Sequence, residues 1–128
     1  MINQPSLQPI LSIDLKKNRI RIHKSTLHML GDPEYIQLLV NPSARIIALR
    51  RSIREDHLAH HIKPQMLSTK NCCEIYSSDL LRTLRNVNCG WQNKKAYRIY
   101  GDLIQKEGIA QFSMNDFVLM NETQDNIE

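Results

Sequence analysis

Arg19-Ile20-Arg21-Ile22-His23 alternates without a break. A period of two places Ile20 and Ile22 on one face of a strand and Arg19, Arg21 and His23 on the other. The stretch predicts a half-buried strand with a cationic outer row. Lys16-Lys17-Asn18 before it is a turn signal, and Ile10, Ile13 and Leu15 begin an earlier strand. After it, Ser25 or Thr26 suits the cap of a short helix through Leu30, since a side-chain hydroxyl accepts a free backbone N–H. Leu27 and Leu30 share a face of that helix, Gly31 supplies its stop and Pro33 prevents continuation. Tyr35 to Val40 is rich in strand formers, Asn41-Pro42-Ser43-Ala44 has turn chemistry, and Arg45 to Leu49 returns as a strand. Residues 19–50 therefore spell strand, short helix, hairpin.

Further along, Ser52-Ile53-Arg54-Glu55 has the capping-box spacing and predicts a helix over 52–62 that ends before Pro64. Ile53, Leu58 and Ile62 would form its buried stripe, and residues 63–71 read as a connector. The pattern then returns. Cys73 to Tyr76 alternates, and Ser77, Ser78 or Asp79 caps a helix carrying Leu80, Leu81 and Leu84. Residues 88–95 form a loop, Ala96 to Tyr100 a strand, 101–108 a connection and Ile109 to Met114 a last strand. A shift of 53 superposes Ile20 on Cys73, Ile22 on Ile75, Ser25 on Ser78 and Leu27 on Leu80, a likeness of element order rather than identity. The expected organisation is a flexible arm over 1–9, one domain over 10–114 built from pseudo-repeats 19–50 and 73–114, and an acidic tail over 115–128. Within that tail, residues 117–120 have the composition of an edge strand or short helix.

Length and composition bound the possibilities. The chain has 128 residues, 41% hydrophobic and 23% charged, which suits one packed domain and argues against wholesale disorder. The formal charge of +4 is uneven. Residues 1–64 carry ten basic and five acidic side chains, residues 65–128 seven and eight, and from Asn115 onward there are four acids and no base. A basic first half suggests an anionic partner for one face. No apolar run approaches a membrane span and no signal-peptide pattern is visible at the start, so the expectation is no membrane and a cytoplasmic home. Three cysteines, Cys72, Cys73 and Cys89, lack a disulfide framework and fit a reducing compartment.

The first unit, from Arg19-Ile20-Arg21-Ile22-His23-Lys24 through Leu30-Gly31-Asp32-Pro33 to Ile46-Ile47-Ala48-Leu49-Arg50, resembles the swapped-hairpin unit of the AbrB/SpoVT/MraZ class of bacterial regulators. It departs where that class has Pro after the first strand, here His23 or Lys24, and where it has a Gly-Asp turn, here Asp32-Pro33-Glu34. The resemblance implies that two such units interlock into a closed barrel, within one chain or as a homodimer, and that the protein is a non-enzymatic transcription regulator binding DNA. One unit alone has too little core and too many open edges to be stable. The expected fold is therefore α+β, mainly β, with two strand-helix-hairpin repeats forming a small closed barrel.

Lys16, Lys17, Arg19, Arg21 and Lys24 lie within nine residues, and Arg50, Arg51 and Arg54 follow the hairpin. If the first strand and the end of the hairpin are neighbours, these eight form one patch. DNA phosphates call for such a patch, because neutralising them releases counterions, and arginine also forks onto guanine edges. Lys16, Lys17 and Lys24 would hold phosphates while Arg19, Arg21, Arg50 and Arg51 approach the groove. Lys94, Lys95 and Arg98 make a sparser counterpart. An ordinary solvated strand face, or a protein-interaction module using strand edges and the 52–62 helix, accounts for the same residues differently.

His57, His60 and His61 would share a face of that helix, with Cys72 or Cys73 following the connector, which is a candidate set for metal binding. All five histidines lie in the basic half, a composition compatible with pH sensing. Cys89-Gly90-Trp91 with a histidine could be written as a nucleophile and base, but no Gly-rich phosphate loop, H-E-x-x-H or G-x-S-x-G motif occurs, so neither catalysis nor a cofactor is expected. Trp91 is expected to plug an end of the barrel, or else to contact a base or a partner.

Overall fold

Ile20 and Ile22 are buried, as their alternation requires, but Arg19 and Arg21 on the opposite face are only 9% and 8% exposed. The strand is covered on both sides. The computed structural model describes residues 8–87 and 90–120. Along it run β1 (Ile10–Asp14), β2 (Arg19–His23), α1 (Lys24–Met29), β3 (Tyr35–Asn41), β4 (Ile46–Ser52), β5 (His60–His61), α2 (Pro64–Lys70), β6 (Cys72–Ile75), α3 (Ser78–Val87), β7 (Ala96–Tyr100), β8 (Asp102–Ile104), β9 (Ile109–Ser113) and β10 (Phe117–Met120).

The strands form two five-stranded antiparallel sheets, ordered β10-β7-β1-β2-β6 and β5-β3-β4-β9-β8. Among the described residues each sheet ends on two edge strands, so neither closes into the expected barrel. The reason lies at Gly101. Tyr100 ends β7 in the first sheet and Asp102 begins β8 in the second. The strands expected to form a second hairpin therefore part company. β7 pairs with β1, and β9 pairs with β4. The first hairpin, β3 with β4, stays whole in the second sheet. Residues 73–114 run β6, α3, β7 and then a hairpin of β8 with β9, so the second hairpin is made by the short strand after Gly101 rather than by β7. The two stretches do meet, because β2 and β6 pair antiparallel with Ile20 opposite Ile75 and Ile22 opposite Cys73.

One apolar core joins the sheets. Leu11, Ile13, Ile20, Ile22 and Ile99 from the first meet Ile36, Ile47, Leu49 and Phe112 from the second, with Leu27 of α1 and Leu81 and Leu84 of α3. The cap of α1 is His23, whose Nδ1 accepts the Ser25 backbone N–H at 3.1 Å. Thr26, one of the expected caps, is fully buried instead. Its hydroxyl accepts the Ile10 N–H at 2.7 Å and donates to the Ile10 carbonyl at 3.2 Å, fixing the start of β1. Gly31 ends the helix in the left-handed region, φ 84°, as the sequence predicts.

The helix expected over 52–62 does not form. Ser52 remains in β4, opposite Tyr35, and its hydroxyl donates to Asp56 Oδ2 at 2.7 Å. Asp56 Oδ1 accepts the Leu58 N–H at 3.0 Å, and residues 53–59 become a series of turns. Ladder pairing to β3 holds Ser52 out of helical geometry, so the capping box has no helix to cap. Pro64 opens α2 instead of ending its predecessor, since proline's fixed φ and missing N–H suit a first helical position. The segment expected as a connector is that helix. Residues 117–120 add β10 at the edge of the first sheet, while residues 121–128, residues 1–7 of the expected arm, and Cys89 lie outside the described residues.

A Cβ on Gly101 would meet the Gln111 carbonyl oxygen at 2.3 Å and Phe112 Cδ2 at 2.6 Å. Gly101→Ala is expected to destabilise the protein by about 2 kcal/mol or more through overpacking at the sheet crossover, read as a lower urea midpoint, whereas Gly108→Ala, with open space around it, carries only the cost of its positive φ.

Candidate functional site

The outward side chains of the first sheet form an ionic row. Register places Asp14 beside Arg19, and Arg21 beside Glu74. Arg19 donates Nε to Asp14 Oδ2 at 3.1 Å and Nη1 to Glu74 Oε2 at 2.8 Å. Arg21 Nε lies 3.5 Å from the same Glu74 oxygen. Glu74 Oε1 accepts from Lys70 Nζ at 3.1 Å and from the Tyr76 hydroxyl at 3.2 Å. Burial alone would raise the Glu74 pKa, but the Lys70 hydrogen bond and the charges of Arg19 and Lys70 outweigh it and hold the carboxylate below its ordinary range. Arg19 is correspondingly held above its ordinary value, the bonds to Tyr76, Glu74 and Asp14 overcoming its own desolvation. Two of the eight expected DNA-contacting residues are thus part of the framework.

The remaining six are dispersed. β2 pairs with β1 and β6, while β4 pairs with β3 and β9, so the first strand and the end of the hairpin lie in different sheets. Arg50 donates both Nε and Nη2 to Gln37 Oε1, at 2.9 and 2.7 Å, on the second sheet. Arg51 lies against Gly31. Arg54 is exposed among the turns after β4, and Lys24 is exposed at the start of α1. Lys16 and Lys17 stand exposed on the β1–β2 turn, where both backbone N–H groups donate to Asp14 Oδ1 at 3.0 Å.

Around that turn the structure gathers a different set of cations. The Leu15 N–H donates to the Lys95 carbonyl at 2.9 Å, which ties the turn to the loop before β7. Lys94, at φ 69°, and Lys95 are exposed there. Arg85, in the last turn of α3, locks the two segments together. Its Nη2 donates to the Leu15 carbonyl at 3.2 Å and to Asn18 Oδ1 at 2.6 Å, and its Nε to Asn93 Oδ1 at 3.0 Å. All three acceptors are neutral, so these bonds orient the guanidinium without cancelling its charge. Lys16, Lys17, Arg85, Lys94 and Lys95 converge on one end of the first sheet. Lys94 and Lys95 are visible in the sequence, but as a separate patch. Arg85 carries no local signal, because only the α3 packing brings it to Asn18.

The histidines and cysteines take other roles. His60 and His61 form the short β5 beside β3, so their side chains point to opposite faces. His61 packs its ring on Tyr35 with centroids 4.9 Å apart, and burial lowers the pKa of His60. The helical face that would have gathered His57, His60 and His61 is not there, and among the described residues no group of three His, Cys, Asp or Glu is placed to hold a metal. Cys72 and Cys73 are both buried in β6. Trp91 stacks on Tyr97 with centroids 5.1 Å apart and meets Phe117 edge-on at 5.9 Å, so its ring belongs to an aromatic cluster under β10. No helix among the described residues is long and apolar enough to cross a membrane. No family model, no curated protein and no solved structure matches this chain.

The depressed pKa of Glu74 means that the folded state binds fewer protons there than the unfolded chain. Its stabilisation is complete above the unfolded value of roughly 4.3 and drains away as pH falls through the lower folded value. Glu74→Gln is expected to cost about 3 kcal/mol near neutral pH by leaving buried guanidinium charge uncompensated, and to flatten the acid limb of a urea-midpoint profile. Burial, reinforced by Cys72 and Glu74, pushes the Cys73 thiol up to about 11. It should stay unmodified by iodoacetamide in native buffer and react in urea, as read by mass-spectrometric site mapping.

Proposed function

We propose that this protein is a non-enzymatic DNA-binding regulator whose phosphate contacts come from Lys16, Lys17, Arg85, Lys94 and Lys95. The observation that carries the reading is their convergence on one end of the first sheet, around a turn and a loop joined by the Leu15–Lys95 hydrogen bond. A duplex backbone presents closely spaced negative charges, and a rigid cluster of lysines and arginine neutralises several at once with release of counterions. The exposed lysines supply that charge, and Arg85, held by three neutral oxygens, fixes the spacing between the two segments. Arg19 acts beneath the site as a support of the turn, through Asp14, and is itself held by Glu74. The order β2, α1, β3, β4 over residues 19–50 keeps the AbrB/SpoVT/MraZ resemblance as part of the proposal.

A protein-binding role is the alternative, and one observation favours it. β10 is an edge strand on which Val118 and Leu119 are each 53% exposed, a setting that accepts a partner strand.

The test is fluorescence anisotropy of a short labelled duplex titrated over a series of salt concentrations. Binding should weaken with salt, and Lys16→Gln with Lys17→Gln should reduce the slope of log affinity against log salt by about two. Arg50→Gln with Arg54→Gln should leave it unchanged. Weak binding with no salt dependence, or an unaltered slope in the Lys16/Lys17 variant, removes the proposal.

A further inference from the structure

A second cationic feature lies away from the basic end, on the outward face of the first sheet. Ser12 is flanked across the sheet by Arg21 on β2 and Arg98 on β7. Neighbouring strands are ~4.8 Å apart, so the two arginines emerge roughly 10 Å apart with Ser12 between them. Lys70, from the last turn of α2, and His23, at the end of β2, complete the wall with Asn71. Together they enclose a pocket of about 200 Å³. Among the described residues its lining includes three permanent cations and no acidic residue. Glu74 stands at its flank and already serves Arg19, Arg21 and Lys70 with its two oxygens.

The chemistry of the wall is that of a donor set. Arg and Lys donate only. The His23 Nδ1 accepts the Ser25 backbone N–H, so the neutral ring carries its proton on Nε2 and adds a donor there. Ser12 has a hydroxyl and Asn71 an amide. Asn71 is fixed in the left-handed conformation, φ 58°, where it ends α2, and its carbonyl accepts the Lys24 N–H at 2.9 Å. The pocket is smaller than the ~300–1,000 Å³ typical of drug-sized ligands, so it suits one anionic group rather than a whole cofactor. His23 and Asn71 also line an adjoining, more open hollow of about 420 Å³ beside Lys24 and His28. A ligand anchored in the first space has room to continue into the second.

We propose that the pocket among Ser12, Arg21, Arg98 and Lys70 binds the phosphate group of a small phosphorylated molecule, with the rest of that molecule in the hollow beside His23 and Asn71. Guanidinium forks match phosphate oxygens. The same anionic chemistry is carried by the carboxylates of Glu122, Asp125 and Glu128 in this chain's own terminus.

Isothermal titration of the full-length protein with inorganic phosphate tests the assignment. One saturable site is expected. Arg98→Gln and, separately, Lys70→Gln should each weaken it by about tenfold, the loss of one charge-assisted hydrogen bond. The Lys70 side chain is 52% exposed but also bonds the buried Glu74, so circular dichroism and a urea midpoint establish that each variant is folded before its affinity is read. Lys16→Gln with Lys17→Gln should leave phosphate affinity within about twofold, and Arg98→Gln should leave the salt slope of DNA binding unchanged, so the two sites stand or fall separately. Saturable binding that persists when Glu122, Asp125 and Glu128 are all changed to Gln assigns the site to a free ligand. Binding seen only in that neutralised chain assigns it to the protein's own carboxylates and overturns the proposal. Absence of saturation, indifference to both Arg98→Gln and Lys70→Gln, or equal loss in the Lys16/Lys17 variant overturns it as well.

Discussion

One carboxylate organises the outward face of the first sheet. The Glu74 side chain is 3% exposed and receives Arg19 at 2.8 Å, Lys70 at 3.1 Å and the Tyr76 hydroxyl at 3.2 Å, with Arg21 at 3.5 Å. Removing such charges from water costs several kcal/mol per ion, and the arrangement persists only because the lone pairs are so fully engaged. The consequence spreads along β2. Arg19, held by Glu74, also holds Asp14, and the other Asp14 oxygen accepts the Lys16 and Lys17 N–H groups. The turn that displays those lysines is thus braced from inside the sheet, by charges that solvent scarcely reaches.

The second constraint is steric. At Gly101 the chain passes so close to Gln111 and Phe112 that no side chain fits. There it leaves the first sheet for the second. This crossover lets β7 lie against β1 while β9 lies against β4, and both sheets draw strands from both halves of the chain. Pairing β7 with β1 has a chemical consequence. The loop before β7 arrives at the β1–β2 turn, and Lys94 and Lys95 come to stand with Lys16 and Lys17. Arg85 then fills the space between them, its carbonyl and amide partners supplied by Leu15, Asn18 and Asn93. The basic end is a product of sheet crossover rather than of any one run of residues.

Both proposed sites rest on the same sheet but use different parts of it. Backbone turns at one end carry long, exposed side chains suited to a polyanion in solvent. The strand centres carry Arg21 and Arg98, shielded and fixed in register around Ser12. Register places charge at fixed intervals on a strand face, whereas turns allow lysines to adapt.

Local order was written plainly in residues 10–50. Period-two alternation, a Leu-Gly helix stop and an Asn-Pro-Ser turn act over a few residues, so β2, α1 and the β3–β4 hairpin were legible as they stand. The same held for α3 and for the existence of β7 and β9. The sequence could not show that the outer row of β2 is buried, because alternation says which residues share a face and not what lies over it. Glu74 stands 55 residues from Arg19, and only the β2–β6 register makes them partners. Ser52 satisfied a capping rule and yet stayed in a strand, because its ladder bonds to β3 come from a distant segment. Pro64 was read as the stop of a helix, and it opens one instead. Short-range chemistry determined which elements form. Tertiary pairing alone decided which cations are neutralised and which are gathered, because charge acts through space while the sequence records only separation along the chain.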